Sequence, residues 1–286
     1  NGRKFLRKTA MKIKILEVLQ SKLGRWLSTE APQSLGTAFE LKISEGDKKW
    51  LRANYHDLKI GTDKDGYVRI KGTLVFDMVL ADDGQSYVIK PEPEHLLGGK
   101  SIQDKYQIEI IFKTSEHSNL PQVYEKDGRI KSVSAAKNRK LEDLHINPNG
   151  AACLCLNIRE REYLPNGFNL PDFFHNLVIP FFYGQSYFEK NEVWPGEQYG
   201  HGIAGLLEGY LEKDDVHKEG AESFIGCLKP RQEWQFIQKV LTTKKRIKGH
   251  YPCICGSSKK FRSCHKNALH GLWKLKRDVA AFRVNI

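Results

Sequence analysis

Residues 251–265 read YPCICGSSKKFRSCH, and no other stretch constrains the fold as tightly. Cys253 and Cys255 stand one residue apart; eight residues further on comes an adjacent pair, Cys264 and His265. Two ligand pairs joined by a short basic hairpin suit a closed tetrahedral site, because thiolate and imidazole are the donors zinc prefers and four of them leave no position open. Gly256-Ser257-Ser258 supplies a turn directly after the second sulfur. So small a segment buries little apolar core, so metal binding would stabilise it directly. The expected ligands are Cys253, Cys255, Cys264 and His265, and the expected cofactor is a structural Zn2+.

Charge divides the chain in the same place. From Lys229 onward there are 15 Lys and Arg against 2 Asp and Glu, whereas the residues before it carry 31 against 32. A nearly neutral body therefore carries a strongly basic C-terminal module. The candidate partners of that module are nucleic acid or an acidic protein surface; the plainer alternative is a solvated lysine-rich face. Six basic residues and no acid occupy the first fourteen positions, with no apolar segment of the secretory kind after them. Clustered cysteines in a chain with no export signal read as metal ligands rather than disulfides, so the expected compartment is the cytoplasm. No run of about eighteen apolar residues exists, and no membrane span is expected.

A second feature lies at residues 144–158, LHINPNGAACLCLNI. His145 and Asn147 flank Ile146, a Pro148-Asn149-Gly150 turn signal follows, and Cys153 leads the alternating run Cys153-Leu154-Cys155-Leu156. A turn that hands directly to a thiol keeps the sulfur near the surface and brings backbone N–H groups close to it, as a nucleophile needs. The alternative is an ordinary buried cysteine. Alternation predicts a strand with Cys153 and Cys155 on one face, so either sulfur could be the nucleophile. His201 is a further candidate for approach to the thiol.

Periodicity fills in the rest. Helical spacing predicts a helix over 12–27. Short strands are expected at 38–43, 68–80 (as one long strand or a bent pair), 86–90 and 106–112. The Asp82-Asp83-Gly84 turn should pair 86–90 with the strand before it. Residues 131–143 read as an exposed loop or short helix. Residues 169–188 form a dense apolar helix that Pro180 should kink or break. Further helices are expected from His201 and over 232–241, with a basic segment at 269–283 packing around the metal hairpin.

The order of these residues resembles the ubiquitin-conjugating enzymes. That family sets a His-Pro-Asn tripeptide ahead of Gly-x-x-Cys-Leu; here His145-Ile146-Asn147 precedes Gly150-Ala151-Ala152-Cys153-Leu154. The displaced proline and shorter spacer are similar to the divergent bacterial branch, including proteins of CBASS-type antiviral operons. Tyr106, Pro121 and Val123 ahead of His145, and the Trp194…His201-Gly202…Glu208-x-Tyr210 pattern after it, fall in the same order. The Cys-x-Cys-x8-Cys-His hairpin resembles the SEC-C motif, an add-on that contacts proteins or nucleic acid.

The resemblance implies an α+β, UBC-like fold: an N-terminal helix, an antiparallel meander and C-terminal helices, followed by a small zinc module. The implied division is 1–34 for the basic segment and helix, 35–228 for the conjugating domain and 229–286 for the zinc module and tail. It implies that Cys153 accepts an activated protein C-terminus as a thioester and passes it to an amine, in anti-phage defence. Asn147 would steady the negative carbonyl oxygen or shape the loop, and His145 would be chiefly structural. Partners would be an activating enzyme and a ubiquitin-like protein or a CBASS-type nucleotidyltransferase. Two other readings stand beside this one: an inactive adaptor of the same fold, and a nucleic-acid-binding protein led by the basic module.

Overall fold

The computed structural model describes residues 40–80, 87–89, 100–115, 118–196, 198–245 and 247–286. The segment 1–34 and the helix expected at 12–27 lie outside the described residues. The rest belong to one unit by their contacts.

Helix α1 (Glu45–Asn54) opens the described chain. Its start is fixed by a capping box: Ser44 Oγ accepts from the Asp47 N–H at 3.0 Å while Asp47 accepts from the Ser44 N–H at 2.9 Å. The strand expected at 38–43 is not found over its described residues, 40–43, which run irregularly into that cap while Leu41 and Ile43 lean on the core. The other Asp47 oxygen accepts from the Leu170 N–H, 2.8 Å away, and so ties α1 to a helix more than a hundred residues later.

The sheet comprises β1 (Leu58–Thr62), β2 (Val68–Leu80), β3 (Tyr87–Ile89), β4 (Lys100–Ile111) and β5 (Gln122–Glu125). Neighbours run β1-β2-β4-β5, with β3 paired to the far end of β2, and every described pairing is antiparallel. Residues 68–80 thus make one long strand. Its even positions Ile70, Leu74, Phe76, Met78 and Leu80 are buried, as the two-residue period requires. They meet the even positions of β4 in register: Ile70 faces Ile110, Leu74 faces Tyr106 and Met78 faces Ile102. The odd positions of β2 up to Asp77 lie on the other face, where Glu109 of β4 holds ion pairs with Arg69, Lys71 and Lys126.

After β5 come α2 (Arg129–Ala136), a 3-10 turn (Glu142–Leu144), a second one (Asn157–Arg159) and α3 (Glu160–Tyr163). The apolar face of the sheet is then covered by one helical run in three parts: α4 (Leu170–Phe173), a π-helical stretch (Phe174–Val178) and α5 (Ile179–Asn191). Of the kink or break expected at Pro180 there is no break, but the helix leaves regular α geometry over the turn directly before it. Pro180 sits at the start of α5, directly after the widened turn, where its missing N–H is absorbed. The Phe182 and Tyr106 rings meet at 4.7 Å, and the Tyr106 hydroxyl shares a buried hydrogen bond of 3.0 Å with Ser186.

A second core gathers α6 (Gly202–Leu211), α7 (Lys218–Leu228), α8 (Trp234–Thr242), the short α9 (Phe261–Cys264) and α10 (Lys266–Phe282). It draws on both sides of residue 229, where charge alone marks a division: Leu207 and Phe224 pack in one cluster with Phe261 and Leu272. Gly271 lets α10 touch α6 backbone to backbone, since a Cβ there would overlap the Leu207 carbonyl. Gly271→Ala should therefore lower stability by about 1–3 kcal/mol despite alanine's better helix propensity, read as a lower urea midpoint at unchanged slope.

Candidate active site and metal cluster

Cys153 sits at the exit of a small hairpin. Ile146 and Ala152 bridge antiparallel, and the Asn147 N–H donates to the Ala151 carbonyl at 2.8 Å. Gly150, at φ +83°, closes the loop by donating to the Asn147 carbonyl at 2.8 Å, while Asn149 Oδ1 accepts from the Ala151 N–H at 3.1 Å. The hairpin is anchored to β5, where the Ala152 N–H donates to the Val123 carbonyl at 2.7 Å. Beneath it, the buried Gln185 amide of α5 donates to the Leu144 carbonyl at 2.7 Å.

Residues 153–156 form no strand, so the expected common face for Cys153 and Cys155 is corrected. The chain passes instead between the two cores: Leu154 and Cys155 lean on the first, Leu156 on the second. The alternating pattern is satisfied by two different apolar surfaces rather than by one sheet. Cys155 packs on the first core; Cys227, Cys253 and Cys264 pack on the second. Cys153 is half-buried and belongs to neither core. Burial raises the Cys153 pKa, with Arg231 opposing the rise. Cys155 is pushed well above the ordinary thiol value, by burial first and then by the Glu160 carboxylate. Of the two sulfurs, Cys153 is the one less shifted by its surroundings.

His145 adopts a left-handed conformation, φ 54°, and its carbonyl accepts from the Cys153 N–H at 2.7 Å. Its ring packs edge-on to Trp194 at 4.6 Å and lies 5.4 Å from the His201 ring. Asn147 is exposed, and its backbone shapes the loop. Among the described residues, no side-chain hydrogen bond joins His145, Asn147 or His201 to the Cys153 sulfur. His145 thus holds the thiol through its backbone.

Burial lowers the His145 pKa to about 4, with the nearby His201 adding to the effect and Gln198 and Asp143 opposing it. The folded protein keeps this ring neutral down to about pH 4, whereas the unfolded chain takes up its proton near pH 6.5. Stability from this group is therefore full above pH 6.5, falls as the pH drops toward 4, and levels off below. The slope is at most about 1.4 kcal/mol per pH unit. His145→Gln should flatten the fall in urea midpoint between pH 7 and 4.5 relative to the unaltered protein.

The four expected metal ligands converge. Their donor atoms all lie within 4.8 Å of one another. The Cys255 and Cys264 sulfurs are 3.6 Å apart, and Cys253 Sγ lies 3.2 Å from His265 Nδ1. A tetrahedral ion with ordinary zinc bond lengths needs about 3.8 Å between sulfurs and about 3.5 Å between sulfur and nitrogen. The hairpin that sets this spacing is closed by the Cys253 N–H donating to the Lys259 carbonyl at 2.9 Å and by Gly256 at φ +77°. The Ser257 hydroxyl lies 3.2 Å from both the Cys255 and Cys264 sulfurs. Burial works to raise the Cys255 pKa, but hydrogen bonding with Ser257 and the neighbouring thiols brings it down to about 6, favouring the thiolate a metal binds. These residues could hold a metal ion.

Sequence reasoning missed the groups around these sites. Gly200 abuts the His265 ring, where a Cβ would lie 2.9 Å from Cδ2. Gly184 leaves room for the Trp194 ring. The Arg231 charge acts on the Cys153 and Cys227 thiols, and the Asn157 side chain hydrogen-bonds Cys227. All of these depend on pairings distant in sequence, with no local signal. Comparison with family models, curated proteins and solved structures gives no match. Among the described residues, no helix is long and apolar enough to cross a membrane.

Proposed function

We propose that this chain is a ubiquitin-conjugating-like acyl carrier that accepts an activated protein C-terminus on Cys153 and transfers it to an amine. The observation that carries the reading is the position of Cys153. It alone among the six cysteines is neither packed into an apolar core nor part of the metal cluster, and it is held half-buried at the end of an anchored hairpin.

In the first step the Cys153 thiolate attacks the thioester carbonyl of the donor. A new C–S bond forms, the donor's C–S bond breaks, and its thiolate leaves. In the second, an amine attacks the same carbon; the C–N bond forms, Cys153 leaves as thiolate, and the amine proton passes to water. Thiols leave readily, so the first step needs access and placement above all. The antiparallel meander and the helical run over its face support the UBC-like assignment as a matter of architecture. The anti-phage setting rests on the resemblance of the His145–Cys153 segment and the Trp194–Tyr210 pattern. The test is intact-mass detection of a thiol-labile adduct on incubation with a charged activating enzyme and a ubiquitin-like protein; absence of any adduct with a panel of such donors counts against the reading.

For the C-terminal cluster we propose a structural zinc ion held by Cys253, Cys255, Cys264 and His265. Four protein donors leave no open position for substrate, so the role assigned is to hold the second core together rather than to take part in the acyl transfer.

A further inference from the structure

The two arms of the metal hairpin are laced together by main-chain bonds. The Cys253 N–H donates to the Lys259 carbonyl at 2.9 Å, the Phe261 N–H to the Tyr251 carbonyl at 2.8 Å and the Arg262 N–H to the Gly249 carbonyl at 2.9 Å. Pro252 and Lys260 bridge antiparallel, so their side chains leave the same face of the hairpin. A turn closed by the Tyr251 N–H on the Lys248 carbonyl, 3.1 Å away, brings those two residues together. The Arg262 stem lies along that turn: a Cβ on Gly249 would fall 2.8 Å from Arg262 Cβ and 3.3 Å from its Cδ. One patch thus gathers Lys248, His250, Tyr251, Lys259, Lys260 and Arg262, all of them exposed. The Tyr251 ring is 47% exposed and stacks on the His250 ring, with centroids 5.0 Å apart and planes 20° from parallel. No Asp or Glu lies between Glu233 and Asp278, and among the described residues no carboxylate pairs with any of the four cations. Charge alone would serve solubility. An exposed ring stack set among unpaired cations is the feature that solubility does not call for.

We propose that this face of the hairpin binds single-stranded nucleic acid, with a base stacked on the Tyr251–His250 pair and the phosphates carried by Lys248, Lys259, Lys260 and Arg262. Every base has a flat face that an aromatic ring can take, and lysine and arginine neutralise the backbone beside it, so such a surface holds an open strand with little regard to its sequence. A duplex keeps its base faces inside the stack and offers this surface phosphates alone. An acidic protein would likewise engage the cations and leave the rings idle. The ring stack therefore decides between these partners, and it favours the open strand. The proposal stands on the hairpin and is independent of the acyl-carrier reading of Cys153.

The test is fluorescence anisotropy of a fluorescein-labelled oligothymidylate titrated with the full-length protein across a salt series. Four cations on a single strand should give a slope of about −3 in log K against log salt. Lys260→Gln combined with Arg262→Gln should cut that slope to about half. Tyr251→Ser should weaken binding by about tenfold at fixed salt and leave the slope in place, because it removes the stacking surface and no charge. In the unaltered protein, unlabelled oligothymidylate should displace the probe at a lower concentration than duplex DNA of equal nucleotide content, and at a much lower one than polyglutamate. Absence of binding at the lowest salt overturns the proposal, as does a folded Tyr251→Ser that binds with full affinity. Displacement by polyglutamate as effective as by the open strand also overturns it, and assigns the face to an acidic protein. The displacement series needs no variant, so the proposal stays open to refutation even if a substitution disturbs the hairpin.

Discussion

Cys153→Ala is expected to abolish covalent loading, lowering adduct formation below detection, while Cys155→Ala keeps it. The difference follows from where the two sulfurs sit. Cys155 packs on the first core, and burial together with Glu160 holds its thiol protonated. A protonated, enclosed sulfur is a poor nucleophile. Its loss should act on stability, through a small cavity, and leave the thioester chemistry in place. Cys153 stands outside both cores on the rim of a hairpin held at both ends, so removing its sulfur deletes the nucleophile and little packing. Cys153→Ser supplies a further check: the slower oxygen nucleophile should trap an ester that resists reducing agents. Loading that persists in Cys153→Ala would transfer the role to another residue and remove the central assignment.

Cys264→Ser should release the metal and cost several kcal/mol of stability, lowering the melting temperature by on the order of 10 °C or more. Cys264 and His265 stand at the junction of α9 and α10, so the ligand pair and the start of the long basic helix are one piece of backbone. Cys253 is buried among Phe261, Leu269 and the helices of the second core. Binding of an ion at four converging donors fixes the hairpin 251–265 in the shape on which those apolar contacts depend. Elemental analysis should find one zinc per chain, lost in the serine variant. A zinc-free protein with an unchanged melting curve would refute the site.

The parts of this molecule legible in the sequence are those with a short period or a short motif. The alternation of β2 and β4 follows from side chains two residues apart, and the pairing of β3 with β2 from the Asp82-Asp83-Gly84 turn signal in the sequence. The metal ligands follow from spacing within fifteen residues, although the convergence of all four donors is a fact of three dimensions. Helix α1 was legible too, through Ser44 and Asp47, but the apolar residues 41 and 43 outweigh that signal when the strand period alone is counted. At 153–156 alternation misled, because two cores on opposite sides of an irregular segment produce the same pattern as a sheet with one buried face. The surroundings of Cys153 were not legible: the Arg231 charge that acts on its thiol comes from a turn 78 residues downstream.

The widened turn at Phe174–Val178 sets the phase of everything after it on that rod. One residue fewer there would let the ordinary helical ladder run through and swing the following side chains by about 100° around the axis. Gln185 would then leave the Leu144 carbonyl, and Ser186 would leave Tyr106. The footing of the reactive hairpin thus depends on a single extra residue about two turns earlier on the same rod. A lineage that trimmed it would have to rebuild the floor under its own thiol.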